Sequence, residues 1–420
     1  MEPLVLTVII GMVLLGSLLG LFSGLMPGIH CNTLAAILLA SYPSLESAIG
    51  AVIGKDETAI AVCCCVVSAA VVHSFVDFVP SVFIGAPESE DAVSVLPGHR
   101  MLLEGRGMAA VRAAAIGSLV GCCCAVALSI PFQYLLFNGA EPILDRLTPV
   151  VVLIACMVIL MNESRQGTLL WGSVTFALSG ALGYACMTLP IPTDGLVGEG
   201  SLLFPLLTGL FGIPVLLESS SGRGILPPQR DDVMDPVGMV PGLKGVLMGS
   251  VAGWFPGITS NIGATMSVCI MPENRADRFV STVASIGTVT SVLSLVVLSV
   301  NGGGRSGTAI VVGEIGMDQV QGFMSQGFLI LMMATIMSAM VGYKMTIFSG
   351  KVLSATLARM DQRRTSRAVT VLLVALVLLL TGPWGLVVLI ASVVIGSVPA
   401  SCGMGRTTLC GCLLLPVMLF

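Results

Sequence analysis

Long, uninterrupted apolar stretches are the feature that most limits what this chain can fold into. The first runs from about Leu4 to Met26 without a charged residue, and similar stretches recur along the chain. A helix needs about 20 apolar residues to cross the hydrocarbon core, whereas barrel strands would alternate apolar and polar residues. Only 10% of the residues are charged and 55% are hydrophobic. We therefore predict an all-α, multi-pass protein of the cell membrane, with the lipid bilayer as its surroundings.

The apolar segments differ in length, and some are too short to cross a bilayer alone. Helical stretches are expected near residues 4–26, 31–42, 57–84, 107–137, 148–161, 167–190, 198–217, 241–255, 262–271, 279–300, 307–315, 321–343, 368–396 and 404–420. We expect about nine to twelve crossings, together with re-entrant or broken helices. The first stretch lacks a basic leader and a small-residue cleavage site, so we expect a retained span.

Two polar segments interrupt this pattern. The longer one, Glu218–Met239, has adjacent prolines, mixed charge and no apolar periodicity, which is typical of a linker. It predicts a first transmembrane repeat at 1–217, a linker at 218–239 and a second repeat at 240–420.

The shorter polar segment, Arg359–Arg367, contains four arginines. Positive loops favour the cytoplasmic side of a membrane, so we expect this loop there. Arg100, Arg106 and Arg112 flank another loop that we expect on the same side. Binding of anionic lipid is the alternative role for such a cluster.

Composition and motifs exclude several function classes. No basic tract with interleaved aromatic residues is present, so nucleic acid is not an expected partner. Gly302–Gly307 lacks the Lys-Ser/Thr ending of a nucleotide-binding P-loop. The runs Cys63–Cys65 and Cys122–Cys124 lie inside apolar spans, where consecutive residues point in different directions and cannot converge on one metal. No cofactor or bound metal is expected, and we interpret these cysteines as small packing residues.

An internal repeat is the most specific pattern in the chain. Leu14–Asn32 aligns without a gap to Leu243–Asn261, with nine identities in nineteen positions. Both segments have glycines four residues apart, which lie on one face of a helix and allow close packing. Both then reach Pro-Gly, which stops a helix. Duplication of one unit is the simplest explanation.

Two broken helices in equivalent positions predict a transporter site near the interface of the repeats, and the repeats are expected to be inverted. Broken backbone is tolerated at membrane depth only where protein buries it or a cavity surrounds it. The candidate substrate-binding residues around the breaks are Pro27, Gly28, His30, Asn32, Thr33, Pro256, Gly257, Thr259, Ser260 and Asn261. A helix that restarts there would present free N–H groups to an anion. The alternative is that Asn32 and Asn261 only cap their helices.

Other polar residues in the spans are candidates for binding or ion coupling. His73 and Asp77 are four residues apart, hence on one helix face, and could carry H⁺ or hold Na⁺; the alternative is that Asp77 marks the end of its helix. Arg305 and Ser306 follow a glycine-rich turn that could bind a carboxylate or could be an exposed loop. Glu88 belongs to an acidic loop that could bind a cation or be a solvated turn.

Three motifs resemble the TctA family, the large permease subunit of tripartite tricarboxylate transporters. They are the paired segments Gly20–Gly28 and Gly249–Gly257, the segment Gly85–Gly107, and Gly209–Ile213. The resemblance implies a cation-coupled secondary carrier for a small organic anion such as a di- or tricarboxylate. It also implies two partners, a small membrane subunit and an extracytoplasmic solute-binding protein.

The chain also departs from that pattern. It is shorter than the usual permease, its acidic loop stands where the family has small neutral residues, and Asn301–Thr308 replaces an alanine-rich segment. These differences indicate a divergent branch, consistent with an archaeal one, that could act without the other subunits. A passive channel and an intramembrane enzyme are the alternative functions, and a homo-oligomer stays open.

Overall fold

The structure is a computed structural model. It describes residues 2–26, 31–85, 95–192, 194–195, 198–199, 202–221, 227, 229–230, 237–255, 260–303, 306–357 and 362–419.

In the described part of the first half there are ten α-helices and one two-stranded hairpin. They are α1 (Pro3–Leu25), α2 (Cys31–Ile53), α3 (Lys55–Val76), α4 (Phe78–Ile84), α5 (Val95–Leu103), α6 (Gly107–Leu135), α7 (Glu141–Gln166), α8 (Leu169–Thr188), β1 (Asp194–Gly195), β2 (Gly198–Glu199), α9 (Leu203–Leu207) and α10 (Ile213–Ser221). The second half contains α11 (Val240–Trp254), α12 (Ser260–Ile270), α13 (Ala276–Asn301), α14 (Gly307–Val320), α15 (Gln326–Leu357), α16 (Gln362–Cys402) and α17 (Gly411–Leu419). Within the described residues, seven helical segments are long and apolar enough to span a membrane, which confirms the multi-pass helical class.

Several predicted helix ends were wrong. α2 was predicted to stop at residue 42 but passes through Pro43 and continues to Ile53. A proline removes one donor from a helix without always ending it, because neighbouring packing can support the kinked backbone. The helix expected from residue 198 begins at Leu203, after the short strands.

The glycine face of α1 packs directly on α3. A Cβ at Gly16 would collide with the backbone of Cys65, and a Cβ at Gly24 would lie 3.0 Å from the carbonyl oxygen of His73. Because both residue numbers increase together along the contact, the two helices run parallel. α2 therefore returns between them in the opposite direction.

The second half repeats this arrangement. Gly245 packs on Ser285, and Gly253 packs on Leu293, where a Cβ would lie 2.8 Å from the leucine Cβ. α11 and α13 therefore also run parallel. Gly253 thus meets a side chain of α13, whereas Gly24 meets the carbonyl oxygen of His73 and the Cβ of Val76 on α3.

Each half also packs a long helix against the other half. Ser118 on α6 donates to Ala284 O on α13 (3.4 Å), and near the far end of both helices Gln133 Nε2 donates to Ser299 Oγ (2.9 Å). α6 therefore runs parallel to α13.

α15 makes the equivalent contact with the first half. Gly327 lies beside Ile60 on α3, and Thr346 Oγ1 donates to Phe75 O (2.9 Å). α15 therefore runs parallel to α3.

The two exchanged helices run in opposite directions. Gly350, near the end of α15, lies beside Val111, near the start of α6, while Met324 N, just before α15, donates to Gln133 Oε1 near the end of α6 (2.8 Å). It follows that α3 and α13 are antiparallel. The two halves are inverted repeats. They interlock by an exchange of long helices: α6 of the first half packs on α13 of the second, and α15 of the second half packs on α3 of the first.

One end of the molecule, the arginine face, contains the α5–α6 turn, the start of α13 and the end of α15. There Asp277, with a side chain only 3% exposed, forms ion pairs with Arg275 and with Arg106 (3.8 Å). The contact between Gly350 and Val111 places the end of α15 at the same face as Arg106. This matches the expectation that the two arginine-bearing loops share one side of the membrane.

The ends of α1 and α11 lie at similar depth near the middle of the molecule. α1 ends beside His73, about 27 Å along α3 from Lys55. His73 and Ser291 line one cavity. Ser291 lies about 23 Å along α13 from Ala276, the first residue of that helix, which is at the arginine face. Both helix ends are therefore near the level at which paired breaks form sites in transporters.

Candidate functional site

A cavity lies at this middle level between the two halves. Its described lining residues are Cys31, Asn32, Val67, Ala70, Val71, His73, Ser74, Ser291, Val292, Leu295, Ser306 and Thr308. They come from α2 and α3 of the first half and from α13 and α14 of the second. The cavity is therefore a site shared by both repeats.

Two helix N-termini converge on this cavity. Asn32 is in the first turn of α2 and Thr308 in the first turn of α14, and Thr308 Oγ1 donates to Asn32 Oδ1 (3.4 Å). Gly307 lies so close that a Cβ there would be 2.7 Å from Asn32 Cγ. Both helices then run to the face opposite the arginine face, since Gln319 near the end of α14 donates to Asp56 (3.1 Å).

Ser306 caps the N-terminus of α14. Its hydroxyl accepts a hydrogen bond from Ala309 N (3.1 Å) and another from Ser294 Oγ (3.3 Å) on α13. The first bond satisfies one of the free N–H groups of the helix, and the second ties α14 to the second half's own scaffold. Ser306 is thus a capping residue whose side chain also borders the cavity.

His73 is a buried histidine that lines the cavity. It is 3% exposed, and its Nδ1 lies 2.8 Å from Ser23 Oγ on α1. Asp77 is also buried, at 2%, but it does not line the cavity. Asp77 stands between α3 and α4 within a nearly continuous helical run, so it does not mark an exposed helix end.

The helix after the second break has different surroundings. Ser260 and Asn261 begin α12 and are 4% and 1% exposed, but neither lines the cavity. Thr265 Oγ1 lies 2.8 Å from Asn261 O and 3.0 Å from the sulfur of Cys410. The structure therefore brings Asn32, Ser306 and His73 together, whereas the predicted pairing of the Asn32 tip with the Asn261 tip in one cavity is not seen.

Other predicted site residues cannot be placed. Thr33 is in the first turn of α2, and its side chain lies outside the described part of the structure. The predicted residues that lie wholly outside it are Pro27, Gly28, His30, Glu88, Pro256, Gly257, Thr259 and Arg305.

Sequence reasoning missed Ser74, Ser291 and Thr308 as lining residues. Ser291 and Ser294 are three residues apart in an otherwise apolar stretch, a spacing that places two hydroxyls on one helix face. Thr308 directly follows Ser306 and Gly307 at the start of a helix. The spacing of Ser291 and Ser294 could therefore have indicated Ser291, and the position of Thr308 at a helix start could have indicated Thr308.

The chemistry of the cavity suits a small polar or anionic group. None of its described lining residues carries a carboxylate, and in the described part of the chain no three His, Cys, Asp or Glu side chains group as metal ligands. The space open to water is about 60 Å³, and one water needs about 10–15 Å³ of such space. The cavity therefore has room for a few water molecules or a comparably small group.

Comparison with known proteins places the chain in a family. Residues 10–411 match the tripartite tricarboxylate transporter TctA family. The chain is also similar to an uncharacterized protein of Methanocaldococcus jannaschii, with 29% identity over 305 residues, or 70% of each chain. No solved structure gives a significant match. Since the family match covers nearly the whole chain, including both Pro-Gly breaks, this protein belongs to the tripartite tricarboxylate transporter TctA family.

Proposed function

We propose that this permease is a secondary active, cation-coupled carrier whose substrate is a small organic anion, a di- or tricarboxylate. The anion binds where the N-termini of α2 and α14 meet, and access to it alternates between the two faces of the membrane. Family membership supports a transporter rather than an enzyme. The site and the substrate class are the proposed part.

The convergence of two helix N-termini carries this proposal. Each N-terminus has N–H groups without helical partners and the positive end of a helix dipole, which together favour an anion. Asn32 and Thr308 add an amide and a hydroxyl at this point. A carboxylate on the lining would oppose anion binding, and the described lining has none. A whole tricarboxylate requires the cavity to widen.

The coupling ion is proposed to act close to His73. A buried imidazole in a span is a candidate proton carrier. Sodium held by hydroxyl and carbonyl oxygens is the other candidate. Uptake driven separately by a proton gradient and by a sodium gradient distinguishes the two.

The partners are proposed from the tripartite character of the family. A small membrane subunit and an extracytoplasmic solute-binding protein would complete the transporter. Reconstitution of the chain alone measures whether it needs them.

Counterflow in proteoliposomes tests the proposal. Vesicles loaded with unlabelled citrate, succinate or malate should take up the labelled compound saturably and faster than empty vesicles. Asn32→Ala should reduce this uptake, and Asn138→Ala, at the exposed turn after α6, is the matched control. Uptake without trans-stimulation would indicate a channel. Unchanged uptake by Asn32→Ala would remove the proposed site.

A further inference from the structure

A buried glutamine holds the turn between α14 and α15. Gln133, near the end of α6, is completely buried. Its Oε1 accepts from Met324 N (2.8 Å), and its Nε2 donates to Gly322 O (3.1 Å) and to Ser299 Oγ (2.9 Å). One amide therefore joins a first-half helix, α13 and both sides of this turn.

The turn adopts a backbone conformation that needs such support. Met324 has a φ of 53°, and it is the only described residue other than glycine with a positive φ. This left-handed region is disfavoured for a residue with a Cβ. The Met324 side chain is 43% exposed, so side-chain packing is not what fixes the conformation. The bond from Met324 N to Gln133 is the contact made by the strained residue itself, and Gly322 N to Ser299 O (2.9 Å) and Ser325 Oγ to Val320 O (2.7 Å) support the rest of the turn.

A second glutamine holds the turn between α5 and α6 in the same way. Gln229 belongs to the linker; its Oε1 accepts from Gly107 N (2.8 Å), and its Nε2 donates to Leu102 O (3.0 Å) and Pro227 O (2.8 Å). The neighbouring Arg230 N donates to Gly105 O (2.9 Å). The inter-repeat linker is thus fastened to this turn.

These two contacts lie at opposite ends of one helix. Gly107 is the first residue of α6, and Gln133 is 26 residues further on, about 39 Å away. That distance is close to the full thickness of a bilayer with its headgroups. α5 and α14 hold equivalent places in the inverted halves, each preceding a long exchanged helix. The same device therefore appears once at each face.

We propose that Gln133 and Gln229 are latches, the first holding the α14–α15 turn against α6 and the second fastening the α5–α6 turn to the inter-repeat linker, and that release of one latch moves its hairpin and opens the protein at that face. Gln133 contacts the turn at the C-terminal end of α14, and the N-terminus of the same helix, with Ser306 and Thr308, borders the cavity. This inference rests on the proposed function for its role in transport. The latches themselves are a property of the fold.

Hydrogen–deuterium exchange on the purified full chain tests the latches directly. Gln133→Met keeps the length of the side chain and removes all three hydrogen bonds. It should accelerate exchange at residues 321–326 by about tenfold and leave residues 102–107 unchanged. Gln229→Met is the matched variant, and it should show the reverse pattern. Equal acceleration at both turns, or none at the expected turn, overturns the proposal.

A rescue variant separates a latch from general damage. Glycine adopts positive φ without steric cost, so Gln133→Met combined with Met324→Gly should recover part of the protection at residues 321–326, except at position 324, whose N–H has lost its acceptor. In citrate counterflow, a weakened latch should raise kcat and KM together, because opening becomes easier and the site is held less firmly. A fall in kcat with unchanged KM, or absence of rescue, indicates a merely structural glutamine.

The two proposals can fail separately. If Asn32→Ala leaves counterflow intact while Gln133→Met shows local exchange that Met324→Gly rescues, the anion site is wrong and the latch stands. If Asn32→Ala abolishes saturable uptake and Gln133→Met changes neither exchange nor kinetics, the site stands and the latch is wrong.

Discussion

The helices that follow the two Pro-Gly breaks begin at aligned positions of the repeat but lie in different surroundings. Asn32 meets Thr308 beside a cavity that contains His73. Asn261 is buried at 1% and lies apart from that cavity.

This difference teaches that duplication supplied the geometry and that individual polar residues supplied the chemistry. The glycine faces and the broken helices occur in both halves. The hydroxyl of Ser23, which contacts His73, corresponds to Ala252 in the second half. Substitutions at matched positions should therefore have unequal effects on transport.

The largest effect is expected from His73→Leu, which removes the imidazole from the cavity. This loss should reduce citrate counterflow by roughly a hundredfold. Leu293→Met, a buried control on α13 of the second half, should keep counterflow within about twofold, because it conserves volume. Comparable losses in both variants would mean that His73 matters for packing alone.

Asn32→Ala and Asn261→Ala should differ in kind. Asn32→Ala should raise the KM for citrate about threefold to tenfold, because an amide that borders the cavity is lost. Asn261→Ala should lower the free energy of unfolding by about 1–3 kcal/mol, because truncating a side chain that is 1% exposed leaves a cavity in the packed interior, with KM unchanged. Thermal unfolding and counterflow on the same preparations check this. A raised KM for Asn261→Ala would mean that the second Pro-Gly break also belongs to the substrate-binding site.

Gly307→Ala and Gly263→Ala extend the comparison to two glycines whose backbone lies very close to neighbouring side chains. A Cβ at Gly307 would push on Asn32, so KM should rise about twofold to threefold through displacement of that amide. A Cβ at Gly263 would lie 3.1 Å from Ala252 Cβ and Ile286 Cγ2, so this variant should lose about 1 kcal/mol of stability instead. If Gly307→Ala lowered the melting temperature without changing KM, the contact with Asn32 would be only structural.

The smallest effect concerns a second buried histidine. Burial lowers the pKa of His99, a shift that the hydrogen bond to Val82 O opposes. Below pH of about 6.5 the unfolded chain binds a proton that folded His99 resists, so stability is full above that pH and falls below it. The melting temperature should drop by about 1–2 °C between pH 7.5 and pH 5.5. His99→Asn should remove that drop and leave the pH dependence of counterflow unchanged.

Much of the fold could be predicted from the sequence because it depends on local patterns. Apolar length indicates spans, and the repeat of Gly20–Gly28 at Gly249–Gly257 indicates duplication. The helix restarts at Cys31 and Ser260 follow from Pro-Gly. Each of these signals is contained in a segment of about twenty consecutive residues.

The composition of the site could be predicted only in part. Asn32, His73 and Ser306 were expected among the candidates, and they line one cavity. The partner of Asn32 is Thr308 rather than Asn261. Nothing in the repeat indicates this, because the contact depends on how α14 of one half lies against α2 of the other.

The exchange of long helices also constrains how the chain is made. The segment Lys55–Ile84 is synthesised early, and 94% of its most apolar window is buried in the finished protein. Part of that cover is α15, which lies in the last quarter of the chain. During synthesis α3 must therefore remain in the membrane beside α1 with an open flank, the side that α15 later covers, and lipid or a chaperone has to cover that side meanwhile. A fragment ending at Ser221 would keep that flank open, so final packing is postponed until the second half has been inserted.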